Sequence, residues 1–450
     1  MKTVITYGTY DLIHYGHIRL LEHAKALGDY LIVGVTADDF DKTRGKINVQ
    51  QSLMERIENV RRTGLADKII IEEYEGQKID DIKRYNVDIF TVGSDWVGKF
   101  DYLKEYCQVV YLERTEGISS SSIRSERQAL RLGFYGGLVG VLQKYYQESK
   151  CANGIITSGI CTFGQPMDKE MLDSIPVFDT YEELLKNSDA VYIASAPKNH
   201  YEDIKKALSM GKHVLCESPV CCDTEQYQEL KELAEKNHLV LMEAIKTAYA
   251  TAYNRLLLLV KSGRIGDVIS VDATCTSLKD VNDPAYQKAG WNSFDTWAPT
   301  AMLPIFQLLG TKYTQKQIST WRAQNEYFDV FSKVDFVYPN AVGSIKVGAG
   351  VKSEGELIIS GTKGYVYVPA PWWKTDYFEI RYENPADNKR YFYQLDGEGI
   401  RYCIVSFLRT IENGKADAYI TSAVTQAIAE VVHDFDYSKE TIILSVHNDK

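Results

Sequence analysis

Two histidines, His14 and His17, are separated only by Tyr15 and Gly16, and Thr9, Tyr10 and Asp11 lead up to them. Imidazoles at this spacing can donate hydrogen bonds to phosphoryl oxygens as negative charge builds in a displacement at phosphorus. Much further along, Arg114-Thr115-Glu116-Gly117-Ile118-Ser119-Ser120-Ser121-Ser122-Ile123-Arg124 gathers hydroxyls, backbone N–H donors and two guanidinium groups. Arg44, Lys46 and Lys78 add positive charge between the two stretches. Such a set suits attack by one phosphate oxyanion on the α-phosphorus of a nucleoside triphosphate. The attacking oxyanion is already a competent nucleophile, so no Ser or Cys nucleophile is needed. What the reaction needs is charge neutralisation and in-line placement. Mg2+ would bridge the triphosphate oxygens; protein ligands for it are not identifiable.

These residues need elements to hold them. Val4 to Tyr7 reads as a buried parallel strand, and Ile18 to Leu27 has helical apolar spacing. The histidines thus fall where a strand becomes a helix N-terminus, whose unpaired N–H groups and dipole suit a phosphate. Gly8 and Gly16 allow close approach to the backbone. A second strand, Val109 to Leu112, precedes the arginine- and serine-rich stretch and makes it a second anion-binding helix start. A serine run alone is more often a linker; the strand before it and the flanking Arg114 and Arg124 argue for function. Asp11 and Asp95 stand at strand ends, where a carboxylate could orient ribose, metal or a histidine. For Asp11, a cap at the helix start is an equal alternative. The Lys42 to Lys46 region reads either as a solvated basic turn or as substrate contact.

The His-x-Gly-His pattern resembles the signature of the nucleotidylyltransferase superfamily. Residues 1 to about 126 resemble the glycerol-3-phosphate cytidylyltransferase family over nearly their whole length. The matching stretches are Tyr7 to His17, Asp38-Asp39-Phe40, Gly93 to Asp101 and Arg114 to Ser119. The resemblance implies a CTP-dependent enzyme that makes CDP-glycerol for teichoic-acid-type surface polymers. It implies His14, His17, Lys46 and Arg114 as catalytic residues. It further implies that Thr9, Tyr10, Asp11, Tyr15, Gly16, Arg44, Asp95 and Thr115 through Ser121 help to hold substrate. Lys46 and Lys78 would meet the phosphate of the acceptor. Family members often carry Lys where this chain has Arg44, which keeps the charge and changes its geometry.

The chain has 450 residues, 45% hydrophobic and 25% charged, with a net charge of -10. That is ample material for about three globular units. The negative charge argues against a nucleic-acid partner, so positive charge must be local. The eight cysteines contain no Cys-x-x-Cys pair, and Cys216, Cys221 and Cys222 find no histidines to complete a zinc site. Free thiols, no signal peptide and no spanning apolar run predict a cytoplasmic protein without membrane insertion. A homodimer or higher homo-oligomer is expected.

A strand-and-helix alternation restarts after Arg124 to Leu130. Leu132 to Gly140 reads as a strand and glycine-rich turn, followed by strands at Ile155 to Ile160, Asp189 to Pro197 and His213 to Pro219, with a helix at Tyr201 to Met210. From about Leu130 to the C-terminus the chain resembles the Gfo/Idh/MocA family of NAD(P)-dependent oxidoreductases. Ala194 to His200, Gly211 to Glu217, Met242-Glu243-Ala244, Gly361 to Tyr365 and Gly397 to Tyr402 carry the likeness. It implies a second half built on an open antiparallel sheet, to which Val268 to Val271 and Ser344 to Val347 conform, and a helix over Cys403 to Ile411. The expected fold is α/β: a Rossmann-like nucleotidyltransferase domain (1–128), a second Rossmann domain (129–245) and an α+β domain (246–450).

By the same resemblance Gly133, Gly136, Gly137 and Glu217 would border NAD(P), yet the standard site departs from the family. Ser218 replaces the lysine of Glu-Lys-Pro, Asp295 to Pro299 lacks the expected glycine and His or Tyr, and Leu138 stands where a glycine is usual. Thr157-Ser158-Gly159 occupies the place of the ribose-binding acid. Losing that charge-assisted hydrogen bond costs about 1.5–3 kcal/mol, so NAD(P)H is expected to bind weakly or not at all. Lys246 and Tyr249 could replace the lost acid or could be second-layer residues. Three readings stay open: a cytidylyltransferase with a degenerate oxidoreductase-like unit, a bifunctional polyol-phosphate oxidoreductase and cytidylyltransferase, and a nucleotide-binding regulator.

Overall fold

The computed structural model describes residues 2–11, 13, 15–37, 49, 51, 53–74, 76–113, 129–152, 154–165, 167, 174–288, 290–322, 328–393, 395–414, 419–437 and 441–444. The chain divides into two compact units, Met1–Ala129 and Leu130–Lys450.

The first unit alternates strand and helix: β1 (Thr3–Gly8), α1 (Tyr15–Ala26), β2 (Tyr30–Thr36), α2 (Leu53–Arg62), β3 (Lys68–Glu72), α3 (Gln77–Tyr85), β4 (Ile89–Gly93) and β5 (Gln108–Leu112). Its parallel sheet has the order β3-β2-β1-β4-β5. Successive side chains alternate faces. Val4, Leu31, Val33 and Val35 therefore pack with Leu21, Ile57 and Val60 of α1 and α2. Ile5, Tyr7 and Ile32 pack on the other face with Ile82 of α3. The chain runs outward from β1 through β2 to β3, then crosses back to β4. That reversal opens a crevice between the carboxyl ends of β1 and β4, where ligands bind in sheets of this type.

The second unit begins with β6 (Leu130–Gly136), α4 (Val139–Ser149), β7 (Ile155–Cys161), α5 (Tyr181–Lys186), β8 (Ala190–Ala194), α6 (Pro197–Ser209), β9 (His213–Glu217), α7 (Thr224–Lys236) and β10 (Leu241–Ala244). Its parallel sheet has the order β10-β9-β8-β6-β7, again with a reversal next to the first strand. Short-range chemistry marks the helix starts: Thr180 and Glu183 form a capping box on α5, and Asp223 caps α7.

A 3-10 turn, Lys246–Tyr249, and α8 (Thr251–Lys261) lead into β11 (Val268–Thr276), α9 (Pro284–Lys288) and α10 (Ser293–Leu309). There follow β12 (Gln315–Arg322), β13 (Asp329–Val337), β14 (Val342–Gly348), β15 (Leu357–Gly361), β16 (Tyr365–Val368), β17 (Tyr377–Arg381), β18 (Lys389–Phe392), α11 (Ile400–Asn413), α12 (Ser422–Tyr437) and β19 (Ile442–Ile443). These strands form one sheet, β18-β17-β16-β15-β11-β14-β13-β12-β19. It is mostly antiparallel, but β11 runs parallel to β14 and β12 parallel to β19. The apolar helix α10 covers it: a Cβ on Gly343 would lie 2.8 Å from Ile305. No helix among the described residues is long and apolar enough to cross a membrane.

Candidate functional site

In the first unit the carboxyl ends of β1 and β4 deliver Thr9 to Asp11 and the 3-10 turn Ser94–Trp96 to one sheet edge. Tyr10 adopts a left-handed backbone (φ 54°) and its ring is almost wholly buried. The ring lies against Gly8, where a Cβ would be 3.1 Å away, and 5.7 Å from the ring of His17 in the first turn of α1. Tyr10 is thus a wedge beneath His17. Asp11 is buried and accepts a hydrogen bond from the Gln51 amide at 3.0 Å. Tyr15 is exposed, with the Arg19 guanidinium 5.9 Å from its ring, and Gly16 lies in the first turn of α1.

Arg56 is a residue that the sequence reading overlooked. It is completely buried, and its Nη1 donates to the carbonyls of Thr9 (2.7 Å) and Thr36 (2.9 Å) while Nε donates to that of Gln51 (3.1 Å). It braces the loop after β1 against the end of β2 and the approach to α2. The one available signal was its position beside Ile57 and Val60, on the apolar side of an amphipathic helix.

Lys78 is also buried. It pairs with Glu72 at the end of β3, and its Nζ lies 4.7 Å from the ring centre of Tyr7. Thr36 Oγ1 donates to Glu72 at 2.9 Å, Tyr7 donates to Asp81 at 2.9 Å, and Gln77 Nε2 donates to Asp81 at 3.0 Å. Burial, reinforced by the Asp81 charge, raises the Tyr7 phenol far above its ordinary range, so it stays a donor. His14, Arg44, Lys46, Arg114, Thr115, Glu116, Gly117, Ile118, Ser119, Ser120 and Ser121 lie outside the described residues, as does the side chain of Asp95. Among the described residues no group of three or more His, Cys, Asp or Glu is placed to hold a metal ion.

In the second unit Gly133 sits mid-strand in β6, where a Cβ would be 2.6 Å from Ser188 Oγ. Gly136 (φ 142°) ends β6, where a Cβ would be 2.2 Å from the Ala194 carbonyl carbon, whereas Gly137 and Gly140 face open space. With the start of α4 beside them, these two glycines leave the backbone open where the pyrophosphate of NAD(P) would lie. The ribose position differs from the sequence expectation. β7 continues to Cys161, so its carboxyl end carries Thr162 and Phe163 rather than Thr157-Ser158-Gly159. Thr162 Oγ1 donates to the Gln165 carbonyl at 3.3 Å.

Glu217 ends β9, accepts a hydrogen bond from Tyr192 and lines a cleft of about 380 Å3. Burial pushes its carboxyl up to about 7, against the lowering effects of the Tyr192 hydrogen bond and the Lys246 charge. Ser218 donates to Glu243, a fully enclosed carboxyl raised by burial. Thr296, Trp297 and Pro299 of α10 line the same cleft, with Lys144, Lys246, Lys374 and Glu398. Tyr249 is buried, its ring 5.6 Å from that of Tyr419.

Residues 5–126 match the model of the cytidylyltransferase-like family, and residues 153–245 match that of the oxidoreductase family with an NAD-binding Rossmann fold. The first unit is similar to glycerol-3-phosphate cytidylyltransferase of Bacillus spizizenii, 49% identical over 130 residues, covering 29% of this chain and all of that protein. The second is similar to trans-1,2-dihydrobenzene-1,2-diol dehydrogenase of Oryctolagus cuniculus, 26% identical over 269 residues, covering 57% of this chain and 81% of that one. Its fold matches KijD10, a 3-ketoreductase from Actinomadura kijaniata solved with NADP and TDP-benzene. That match has a TM-score of 0.63 at 17% identity and covers 70% of this chain and all of that one. The chain belongs to the glycerol-3-phosphate cytidylyltransferase family through its first unit, which is fused to an oxidoreductase unit of the Gfo/Idh/MocA type.

Proposed function

We propose that the first unit transfers CMP from CTP to glycerol 3-phosphate, giving CDP-glycerol for surface polymers of the teichoic-acid type. The observation that carries this reading is the 49% identity to a glycerol-3-phosphate cytidylyltransferase across that protein's entire length. An oxygen of the acceptor phosphate forms a bond to the α-phosphorus of CTP. The bond from that phosphorus to the β-phosphate oxygen breaks, and pyrophosphate leaves with the electron pair. His14 and His17 donate hydrogen bonds to the phosphoryl oxygens, and Lys46 and Arg114 offset the growing charge. Thr9, Arg44 and Thr115 to Ser121 hold the nucleotide, with Asp11 and Asp95 orienting groups around it. Lys78 acts from the acceptor side. Mg2+ bound to the triphosphate supplies further charge neutralisation. The domain limits 1–128, 129–245 and 246–450 and a cytoplasmic location are part of the same proposal.

Pyrophosphate release from CTP tests it. The full chain with magnesium should release pyrophosphate when glycerol 3-phosphate is added and not in its absence. His17→Ala should lower kcat about a hundredfold, and wild-type turnover in that variant would overturn the assignment. A second reading, in which the second unit also oxidises or reduces a polyol phosphate with NAD(P), is favoured by the open backbone at Gly137 and Gly140. Absorbance at the nicotinamide band, followed in the same assay, separates the two: CMP transfer that runs unchanged without NAD(P)H is expected under both, and nicotinamide turnover only under the second.

A further inference from the structure

Three ammonium groups converge on one carboxylate in the cleft of the second unit. Glu398 pairs with Lys246, with Lys374 at 2.5 Å and with Lys144 at 3.5 Å. Glu398 stands on three successive left-handed residues, Gly397 (φ 58°), Glu398 (φ 54°) and Gly399 (φ 89°). The geometry is set by close packing, because a Cβ on Gly397 would overlap the Glu148 carboxylate and one on Gly399 would lie 2.6 Å from the Lys246 carbonyl oxygen. Burial alone would raise the Glu398 carboxyl, but the Lys246 and Lys374 hydrogen bonds and the lysine charges hold it down at about 2. The nearby Arg401 is already matched by Glu148 at 2.6 Å.

The cluster therefore keeps more positive than negative charge, in a chain whose net charge is -10. Beside it, Trp297 and Trp373 (ring centres 5.0 Å apart) give the cleft an apolar wall, and Thr300 lines it too, while the Ser218 and Thr247 hydroxyls already donate to Glu243 and to the Trp373 carbonyl. The cleft, about 380 Å3, is near the small end of ligand sites. We propose that this cleft binds a small phosphate monoester of a polyol or ketose, its phosphate on Lys144, Lys246 and Lys374 and its hydroxylated carbons against Trp297 and Trp373. Three lysines against Glu398, and against a Glu217 that is part-ionised at neutral pH, leave the cleft between one and two positive charges, and a phosphate monoester, with close to two negative charges, matches that surplus. The proposal rests on the reading of the second unit as oxidoreductase-like and is independent of CMP transfer by the first.

Lysine acetylation of the full chain, mapped by mass spectrometry, tests it residue by residue. sn-Glycerol 3-phosphate and dihydroxyacetone phosphate are the probes, with glycerol, dihydroxyacetone and inorganic phosphate as separate arms and exposed Lys236 as the internal control. At saturation, one or both phosphate esters should slow acetylation of Lys246 and Lys374 about threefold or more relative to Lys236, and the uncharged compounds should not. Lys374→Gln should remove the protection at Lys246, and Lys374→Arg should restore it. No protection by either ester overturns the proposal, as does equal protection by inorganic phosphate, which would make the cleft a general anion site. Pyrophosphate release, measured on the same samples, reports the first unit separately.

Discussion

Arg56 and Lys78 are both buried cations of the first unit, and they should fail differently. Lys78→Met leaves Glu72 buried without its ion-pair partner and should cost about 3–5 kcal/mol of stability. Arg56→Met frees the Thr9 and Thr36 carbonyls and should cost kcat as well as stability, since hydrogen bonds to a charged group are worth about 1.5–3 kcal/mol each. Urea unfolding and CMP-transfer kinetics on both variants check this. In Lys78→Met the lost stability reports its pair with Glu72 and a raised acceptor KM its place on the acceptor side; an unchanged KM would overturn the latter. Glu217 gives a pH signature in the second unit. Its carboxyl is raised to about 7 from its ordinary 4.5, so between those values the folded chain holds a proton that the unfolded chain has lost. Its contribution to stability is present below that window and is lost as pH rises through it. Glu217→Gln should flatten the fall of Tm between pH 5 and 7.5, as read by calorimetry. At this scale the sequence singled out His17 as a candidate, and the fold sets it in the first turn of α1 beside Tyr10. The sequence did not announce Arg56, because a charged residue in a helix is ordinarily solvated and only the packed structure reveals the carbonyls around it.

The elements were more legible than their supports. The strand at Val4 to Tyr7 and the helix behind it were readable from β-branched runs and apolar spacing, and the helix begins at Tyr15, ahead of its first apolar repeat. The end of β7 was read to within a residue, but the ribose-binding position was placed at Thr157-Ser158-Gly159, and Gly159 lies inside the strand. In the fold it carries φ 156° inside the strand, where a Cβ would lie 2.4 Å from the Phe178 ring. The two glycines after β6 make a test of what such positions do. Gly136→Ala drives a methyl into the Ala194 backbone and should destabilise the second unit by about 1–3 kcal/mol. Gly137→Ala points into open space and should leave Tm nearly unchanged. Under the second reading Gly137→Ala should weaken NAD(P)H binding, which a fluorescence titration of both variants reads.

At the scale of the whole molecule, repeated βα alternation was enough to expect two Rossmann-type sheets, and the resemblance to the Gfo/Idh/MocA family implied a third, open one. The parallel pairings of β11 with β14 and β12 with β19 were not legible, because they join segments far apart in the chain and no local pattern encodes strand direction. The fusion joins two units with their own cores and their own sheet crevices. Lysines gather in the cleft of the second unit while the chain as a whole is acidic, which fits an anionic small molecule rather than a polyanion.

The smallest strand has a consequence of its own. β19 is only Ile442–Ile443, yet it lies along β12 and, with the Leu444 amide bonded to the Thr320 carbonyl at 2.7 Å, closes one margin of the nine-stranded sheet. The opposite margin, β18, carries Lys389 and Arg390, the kind of charge that discourages another chain from adding on. β12 has only its short cover. Deleting residues 441–450 should uncover a row of unpaired backbone groups beside the part-exposed Trp321 and turn a dispersed protein into one that self-associates edge to edge. Light scattering against concentration, with CMP transfer retained, is the expected result.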